Sequence, residues 1–297
     1  MKIAYLLFAY KNPKLIQATV DFLAGADAAF FVHIDAKADL RPFEGLRGAN
    51  VVFTDRRIPV YWAEFSGVEA TLLLIRQALA ARQRPDYLVL LSGSEFPLRS
   101  RRYIHAYLEA HRGIEYITMQ KMPAPGKPLD RLDTVRYPTT RPVRRFVFRA
   151  LAKAGLGRRD HRKYLGSLEP YSGNTWWAIS REAGQYVVEY AQAHPELAKF
   201  FEYVHAPEET YIHTILGNSP FRSRVRRNLV YEDWSGPGGR ARPEMLTARH
   251  VDLFESQTEV TLQDLHGPGE LLFARKLSDD DFPLVKRIAA MTESKDK

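Results

Sequence analysis

The chain of 297 residues contains no cysteine. It therefore cannot form a disulfide framework, use a thiolate as a nucleophile or bind zinc through cysteine. Long hydrophobic runs are also missing, since no stretch approaches the roughly 18 apolar residues of a membrane-spanning helix. Aromatic residues at 12% and charged residues at 26% are typical of an ordinary globular protein and exclude a disordered one.

Several common catalytic motifs are missing as well. The sequence has no GxSxG nucleophile elbow, no GxxxxGK[ST] phosphate loop, no GxGxxG fingerprint and no HExxH zinc motif. The nearest acidic cluster, 279–281, lies at the start of a helical pattern, where carboxylates cap the helix. These absences exclude the usual serine hydrolases, P-loop proteins and zinc peptidases.

The net charge of +8 is concentrated in one segment. Residues 141–163 hold nine basic residues against one acid, a net of +8, so the rest of the chain sums to zero. A nucleic-acid module interleaves its basic residues with aromatic ones, whereas the tryptophans here lie outside this segment. We therefore expect no nucleic-acid partner.

The N-terminus shows no targeting segment. The sequence MKIAYLLFAYKNP has only a short apolar run and no small-residue cleavage site. Such a run directly after Met-Lys is typical of a buried first strand. We expect a cytoplasmic protein.

The first 120 residues alternate short apolar runs with helical patterns. Strands are predicted at 2–10, 28–35, 51–55, 87–93 and 114–119, with helices at 13–24, 65–82 and 101–110. This alternation predicts an α/β fold with a parallel sheet covered on both faces. Such sheets bind ligands at the carboxyl ends of their strands.

The rest of the chain divides into a loop region and a second structured stretch. Residues 120–170 are rich in Pro, Arg and Thr and predict loops around one basic helix. Further strands are predicted at 174–180, 229–234 and 271–276, helices at 182–193, 207–216 and 282–290, and a flexible loop at 235–242.

Two acidic sites have both a structural and a functional interpretation. Pro207, Glu208 and Glu209 begin a helix, where acids stabilise the positive end, but one of these carboxylates could instead act as a general base. His33 and Asp35 share one face at a strand end, where they either bond a loop or recognise the ring or ribose of a ligand.

Aromatic and cationic residues suggest sugar and phosphate contacts. Trp176 and Trp177 would point to opposite faces of a strand, so that one lies in the core and the other can stack on a ligand. Trp62 and Trp234 adjoin loops and could form sugar platforms. The cations of 275–276, after the apolar run LLFA, suit a diphosphate or a solvated strand end.

These features occur together in one family. The chain resembles the core-2/I-branching β-1,6-N-acetylglucosaminyltransferases and the peptide O-xylosyltransferases. Eight blocks carry the resemblance in order over about 3–278: FFVHIDAKAD, VYWAEFSGVEATLLLI, YLVLLSGSEFPLRS, GIEYI, YSGNTWWAISREAGQYV, PEETYIHTIL, LVYEDW and LLFARK.

The resemblance implies a GT-A type glycosyltransferase with a Rossmann-like central mixed sheet and helices on both faces. Residues 1–120 would form the nucleotide-sugar-binding half, and 121–297 the acceptor-binding and catalytic half of the same domain. The implied reaction is an inverting transfer of N-acetylglucosamine or xylose from a UDP-sugar to a hydroxyl of a glycan or glycoconjugate. The family uses basic side chains on the diphosphate in place of a metal, so no metal or other cofactor is expected.

The resemblance also implies roles for individual residues. The block APEE matches the family's SPDE-like motif, which makes Glu209 the catalytic base, and the block FARK makes Lys276 a diphosphate ligand. Arg249 is the expected partner of Lys276, with Arg242 and Arg275 as open alternatives. The expected uridine-side contacts are His33, Asp35, Lys37, Trp62, Ser66 and Glu69. The expected acceptor contacts are Glu95, Glu115, Trp177, Glu208 and Trp234.

Some features depart from the family. Its animal members are disulfide-rich, membrane-anchored Golgi proteins, so this chain resembles a bacterial cytoplasmic relative with a glycan or lipid-linked acceptor. The basic segment 141–163 lies outside every matching block. It predicts either a helix that lies on anionic lipid or a solvated helix. A non-catalytic protein that binds acidic glycan or nucleic acid, and a glycoside hydrolase, remain alternatives.

Overall fold

The computed structural model describes residues 1–48, 50–153, 156–236 and 242–295. The strands are β1 Ile3–Ala9, β2 Ala28–Ile34, β3 Val51–Phe53, β4 Tyr87–Ser92, β5 Glu95–Pro97, β6 Glu115–Tyr116, β7 Met119–Lys121, β8 Tyr171–Gly173, β9 Trp177–Ser180, β10 Val225–Arg226, β11 Val230–Glu232, β12 Thr261–Asp264, β13 Gly267–Glu270 and β14 Phe273–Arg275. The helices are α1 Pro13–Leu23, α2 Ser66–Ala80, α3 Arg101–Ala110, α4 Asp130–Asp133, α5 Pro142–Lys153, α6 Arg162–Leu165, α7 Arg181–Ala193, α8 Pro195–Phe201, α9 Tyr211–Gly217, α10 Ala248–Ser256 and α11 Phe282–Lys295.

A seven-stranded sheet in the order β10-β6-β9-β4-β1-β2-β3 forms the centre of the molecule. Strands β1 to β4 pair in parallel, and β9 pairs antiparallel with β4 and β6. All seven residues of β2 are buried, as expected for a strand covered on both faces. The predicted α/β class with a central mixed sheet is therefore confirmed.

The order of the strands reverses between β1 and β4. The chain runs from β1 through α1 to β2 and then to β3, and α2 brings it back to β4 on the other side of β1. Because such crossovers are right-handed, α1 and α2 cover opposite faces. The carboxyl ends of β1 and β4 thus meet at a topological switch point, the usual ligand site of an open α/β sheet.

Amphipathic sequence explains how the helices pack on this sheet. Helix α1 buries Leu15, Ile16, Val20 and Leu23, the face predicted from its spacing. Helix α3 has the predicted bounds, and the Ser100 hydroxyl caps it by accepting from the Tyr103 amide. Helices α2 and α7 pack against each other and against the sheet.

A second, smaller core lies beside the first. It gathers apolar side chains of α10, α11 and a three-stranded sheet in the order β11-β14-β5, including Phe96, Phe254 and Ile288. Leu15 of α1 reaches into it, so the two cores share a helix. Two antiparallel pairs complete the strands: β12 with β13, which are adjacent in sequence, and β7 with β8, which are separated by α4 to α6.

Some predicted elements differ from the structure. The predicted strand 114–119 is divided into β6 and β7, because β6 pairs with β9 and β10 whereas β7 pairs with β8. The predicted helix 207–216 begins as a 3₁₀ turn, Pro207–Glu209, and becomes α-helical only at Tyr211. Most of the predicted loop 235–242 lies outside the described residues.

The basic helix predicted within 120–170 is α5, which α4 precedes and α6 follows. Among the described residues, no helix is both long enough and apolar enough to cross a bilayer.

Gly173 provides a test of this packing. A Cβ at this position would lie 1.7 Å from the carbonyl oxygen of Thr118, closer than any real contact allows. Gly173→Ala is expected to destabilise the fold by about 2 kcal/mol or more, because the β7–β8 pair must move apart. Gly45→Ala is the matched control, since nothing lies within 4 Å of its Cβ position. Equal thermal unfolding midpoints for the two variants would contradict the packing of β8.

Candidate active site

A strained turn presents two adjacent carboxylates at the start of α9. Ala206 has a left-handed backbone with φ of 52°, and Pro207 follows as the first residue of the 3₁₀ turn. The Glu209 amide bonds the Ala206 carbonyl at 3.1 Å, which closes the turn. The side chains of Glu208 and Glu209, which both belong to this turn, lie in different surroundings.

Glu209 is an ionised carboxylate held by two cations. Its Oε2 accepts from Lys127 Nζ at 2.5 Å and from an Arg131 guanidinium nitrogen at 2.8 Å. Burial alone would raise the pKa of Glu209, but Lys127 and then Arg131 lower it below its usual value. Both cations bond Oε2, so Oε1 accepts no hydrogen bond from the described residues and is open to a ligand hydroxyl.

Glu208 has the opposite electrostatics. Burial, reinforced by the charge of Glu209, raises the pKa of Glu208 to about 7, and its Oε2 is buried without a hydrogen-bond partner in the described part of the chain. Its Cβ lies 4.0 Å from the Cβ position of Gly67 at the start of α2. Glu208 does not line the cavity that Glu209 faces. The structure therefore does not support its expected role as an acceptor contact.

The cavity in front of Glu209, called the Glu209 cleft below, has a volume of about 580 Å³. Its charged and aromatic walls are Lys127, Arg131, Trp176, Glu209, Glu232, Trp234 and Arg275. Trp234 is 45% exposed and so presents a ring surface to solvent. A carboxylate beside aromatic faces in a cleft of this size suits a sugar hydroxyl.

Arg275 joins three strands under the cleft. Glu232 of β11, Arg275 of β14 and Glu95 of β5 are direct register partners. Arg275 lies 2.9 Å from an oxygen of each carboxylate, and its guanidinium lies 4.6 Å from the centre of the Trp176 ring. Glu95 is 1% exposed, so it supports Arg275 from below and does not reach an acceptor as expected.

The next residue, Lys276, faces other cations. Burial and then the charges of Arg275, Lys11 and Arg242 lower the pKa of Lys276. Its Nζ donates to no acceptor in the ranges that the structure describes. An anion at this point would relieve the repulsion and complete the hydrogen bonding of Lys276.

Asn12 brings this cationic group to the topological switch point. Its Nδ2 donates to the Gly93 carbonyl at 2.7 Å, to Ser94 Oγ at 3.2 Å and to the Leu277 carbonyl at 3.4 Å. The ends of β1 and β4 are thereby tied to the residue after Lys276. Lys11, next to Asn12, therefore lies at the same strand ends.

The residues at the end of β2 are occupied by internal contacts. His33 is fully buried, and its Nε2 accepts from the Ile58 amide at 2.9 Å, so the side chain expected to contact uridine makes an internal hydrogen bond here. Asp35 accepts from Lys37 Nζ at 2.6 Å and from the Val60 amide at 3.2 Å. Asp35 and Lys37 both follow the carboxyl end of β2, where they form an ion pair with each other.

Trp62, Ser66 and Glu69 surround two further cavities. Trp62 is 82% exposed and, with His205, lines a cavity of about 350 Å³. Ser66 and Glu69 line an adjoining cavity of about 250 Å³, where Ser66 Oγ accepts from the Tyr61 amide. None of the three lines the Glu209 cleft.

Three other expected contacts lie elsewhere. Trp177 is 3% exposed within the main core, and Trp176, just before β9, faces the cleft in its place. Glu115 is fully buried and accepts from the amide and hydroxyl of Ser180, where α7 begins. Trp177 and Glu115, both expected to contact the acceptor, therefore do not line the Glu209 cleft. Arg249 is exposed on α10, and Arg242, one of its open alternatives, is among the charges acting on Lys276.

Three residues of the site were not predicted from the sequence: Lys11, Lys127 and Arg131. Trp176 was one of the two tryptophans predicted to include a stacking residue. Lys127 and Arg131 lie four residues apart in GKPLDR, within a segment that predicts only loops. Lys11 directly follows the first strand, so the rule on strand ends could have included it.

Metal ions in proteins are usually bound by clusters of His, Cys, Asp or Glu side chains. Within the described ranges, no group of three or more His, Asp or Glu side chains is arranged to hold a metal ion. The charges available to a polyanion are those of lysine and arginine.

Comparison with known proteins identifies relatives. The family model described as "Core-2/I-Branching enzyme" matches residues 3–258. Xylosyltransferase 1 of Canis lupus familiaris is 22% identical over 243 residues, covering 79% of this chain and 24% of the relative. Xylosyltransferase 2 of Rattus norvegicus is 22% identical over 247 residues, covering 79% of this chain and 27% of the relative. The chain thus spans about a quarter of these curated relatives.

Among solved structures, the apo form of mouse xyloside xylosyltransferase 1 matches with 10% identity and a TM-score of 0.36, over 92% of this chain and 97% of that chain. A likeness of this size carries no argument about activity.

The two neighbouring carboxylates predict opposite effects of pH on stability. The folded protein keeps the Glu208 proton that the unfolded chain releases, so stability falls as the pH rises from about 4.5 to about 7. Glu208→Gln mimics the protonated form. At pH 8 this variant is expected to increase the free energy of unfolding by an amount on the order of 1–3 kcal/mol, and therefore to raise the thermal unfolding midpoint. At pH 5 both changes should be much smaller.

Glu209→Gln is the matched control for this measurement. Because the folded pKa of Glu209 is lowered, its contribution is present above the unfolded pKa and is lost as the pH falls through the folded one. This variant is expected to lower the midpoint at pH 8, and less so at acidic pH. Shifts of the same sign in both variants at pH 8 would contradict the assignment.

Proposed function

This chain belongs to the Core-2/I-branching enzyme family, and we propose that it is an inverting, metal-independent glycosyltransferase. It transfers N-acetylglucosamine or xylose from a UDP-sugar to a hydroxyl of a glycan or glycoconjugate. The observation that carries the proposal is the Glu209 cleft, whose lining contains both the Glu209 carboxylate and Arg275, the residue that precedes Lys276 in the chain.

Glu209 is the general base of the proposed reaction. Its free Oε1 accepts the proton of the acceptor hydroxyl as the acceptor oxygen bonds the anomeric carbon and the bond from that carbon to the diphosphate breaks. The low pKa of Glu209 keeps it ionised at neutral pH, although it makes the carboxylate a weaker base. A hydroxyl whose negative charge develops beside Lys127 and Arg131 is stabilised by the same two cations.

Lys276, Lys11 and Arg242 bind the diphosphate in this proposal. Burial and then the charges of Arg275, Lys11 and Arg242 lower the pKa of Lys276, and a bound diphosphate would offset the repulsion among these cations. Lys11 and Lys276 adjoin Asn12 and Leu277, which are bonded to each other. Asn12 is also bonded to the residue after β4, at the carboxyl ends of parallel strands, where α/β sheets commonly bind nucleotides. Cationic side chains can replace the charge of a metal there.

The cleft walls suit a glycan acceptor. Trp176 lies against Arg275 on one wall, and Trp234 lies on the same cleft with nearly half of its surface exposed. Indole rings supply the flat apolar faces on which sugar rings stack, and the nearby charges supply hydrogen bonds to hydroxyls.

The arrangement favours transfer over hydrolysis by a pair of carboxylates. A glycoside hydrolase needs two carboxyl groups that flank one bond. Glu95 is buried beneath Arg275, and Glu208 does not line the cleft. Glu232 does line it but is paired with Arg275 and accepts from the Asn174 amide group. Only Glu209 of these four combines ionisation with an open oxygen.

Loss of the base is the first test. Glu209→Gln is expected to lower the rate of transfer by about 10²–10⁴. Binding of UDP-N-acetylglucosamine or UDP-xylose, measured by calorimetry, should change little because Glu209 does not belong to the cationic group. Glu208→Gln serves as the control and should retain most of the activity. Full activity in Glu209→Gln would disprove the base assignment.

The cationic group is tested by donor binding in EDTA. Lys276→Ala is expected to weaken UDP binding by about tenfold to a hundredfold, and Lys11→Ala should act in the same direction. Lys286→Ala, which removes an exposed lysine of α11, should leave the Kd unchanged. An unchanged Kd in Lys276→Ala, or binding that requires Mn²⁺, would contradict the proposed metal-free site.

A further inference from the structure

Helix α5 exposes an apolar stripe to solvent. Val143, Phe146, Val147 and Ala150 follow the i, i+3, i+4, i+7 spacing of one helical face, and all four are exposed. The exposed fractions are 75% for Val143, 76% for Phe146 and 46% for Val147. A contiguous apolar surface of this kind usually marks an interaction site.

The opposite side of α5 is anchored to the protein. The Phe148 ring lies 4.5 Å from that of Tyr137, centre to centre. Arg145 contacts Glu64 at 3.7 Å, and the same carboxylate oxygen accepts from the Thr139 amide at 2.7 Å. The exposed stripe is therefore the outer face of a docked helix and not the inner face of a detached one.

Basic residues accompany the stripe. The sequence of α5 contains four basic residues and no acidic one. Arg144 flanks the stripe, is exposed and forms no ion pair with a carboxylate of the described residues. An apolar face with a cationic border matches the surface of an anionic bilayer, where side chains enter the headgroup boundary and cations meet phosphates.

We propose that α5 docks the protein on an anionic phospholipid bilayer through Val143, Phe146 and Val147, with Arg144 at the headgroups. A nucleic acid or acidic glycan would use the charge but leave these apolar side chains in water. The lipid assignment therefore rests on the stripe together with the charge. It does not depend on the proposed glycosyl transfer.

Docking would bring the bilayer close to a cavity of the protein. Arg145 and Phe148, on the inner side of α5, line the cavity of about 350 Å³ that Trp62 and His205 also line. His205 directly precedes the turn from Ala206 to Glu209, so this cavity lies next to the turn that carries the base. A membrane-borne ligand would therefore meet the protein near its candidate active site.

Sedimentation with vesicles tests the proposal on the full chain. The protein should co-sediment with vesicles of phosphatidylcholine containing 30% phosphatidylglycerol (a chosen composition) and remain in solution with phosphatidylcholine alone. Phe146→Ser and Arg144→Glu should each weaken the partition by about tenfold. The matched controls Leu253→Ser and Arg102→Glu change exposed residues of α10 and α3 and should have no effect.

The absence of native cysteine allows a second, positional readout. Phe146→Cys, labelled with an environment-sensitive dye, should shift its emission to shorter wavelength on anionic vesicles as the dye enters the headgroup boundary. Leu253→Cys, labelled in the same way, should show no shift. Both positions are exposed, so neither label has to displace core packing.

Three outcomes would overturn the proposal. The first is no binding to anionic vesicles at low salt. The second is binding that Phe146→Ser leaves unchanged, which would indicate charge attraction alone. The third is tighter binding to duplex DNA or heparin than to vesicles, with the same insensitivity to Phe146→Ser, which would assign α5 to a soluble polyanion.

Discussion

The row of charges from Glu232 through Arg275 to Glu95 is the interaction on which the candidate site depends. It crosses the small sheet at three register partners, and Glu95 is almost completely buried. Loss of the central cation would leave two carboxylates unpaired, one of them without access to water, which commonly costs about 3–5 kcal/mol. The floor of the Glu209 cleft is thus fixed by electrostatics that also fix the strand register.

This row of charges also explains why the consecutive residues Arg275 and Lys276 differ in their electrostatic environment. Arg275 is neutralised by its two carboxylates and stacked on Trp176, so its main contribution is position. Lys276, the next residue, has a lowered pKa because it is partly buried and because the positive charges of Arg275, Lys11 and Arg242 act on it. Arg275 is thus paired with two carboxylates, whereas Lys276 forms no ion pair with the residues that the structure describes, so Lys276 gains more from an added phosphate.

The parts of this structure that sequence could predict are those set by local pattern. The strands β1 to β4 and helix α3 follow from periodicity, and Glu209 follows from its block. The contacts of Arg275 span 43 residues to Glu232 and 180 to Glu95, so no local pattern contains them. Alternation places Trp176 and Trp177 on opposite sides of the chain, but it does not say which side is the core; in the structure Trp177 is buried in the core and Trp176 lines the cleft.

The local character of the net charge has a structural counterpart. If the excess charge served the candidate site, its residues should line the Glu209 cleft, but no residue of 141–163 does so. Several cations of that segment form ion pairs with nearby carboxylates, for example Arg158 with Asp130. Arg144, beside the apolar stripe, is exposed and forms no ion pair with the described residues. An exposed arginine is solvated by water whether or not it is paired, but the apolar stripe beside it is not, and an anionic bilayer would complement both surfaces.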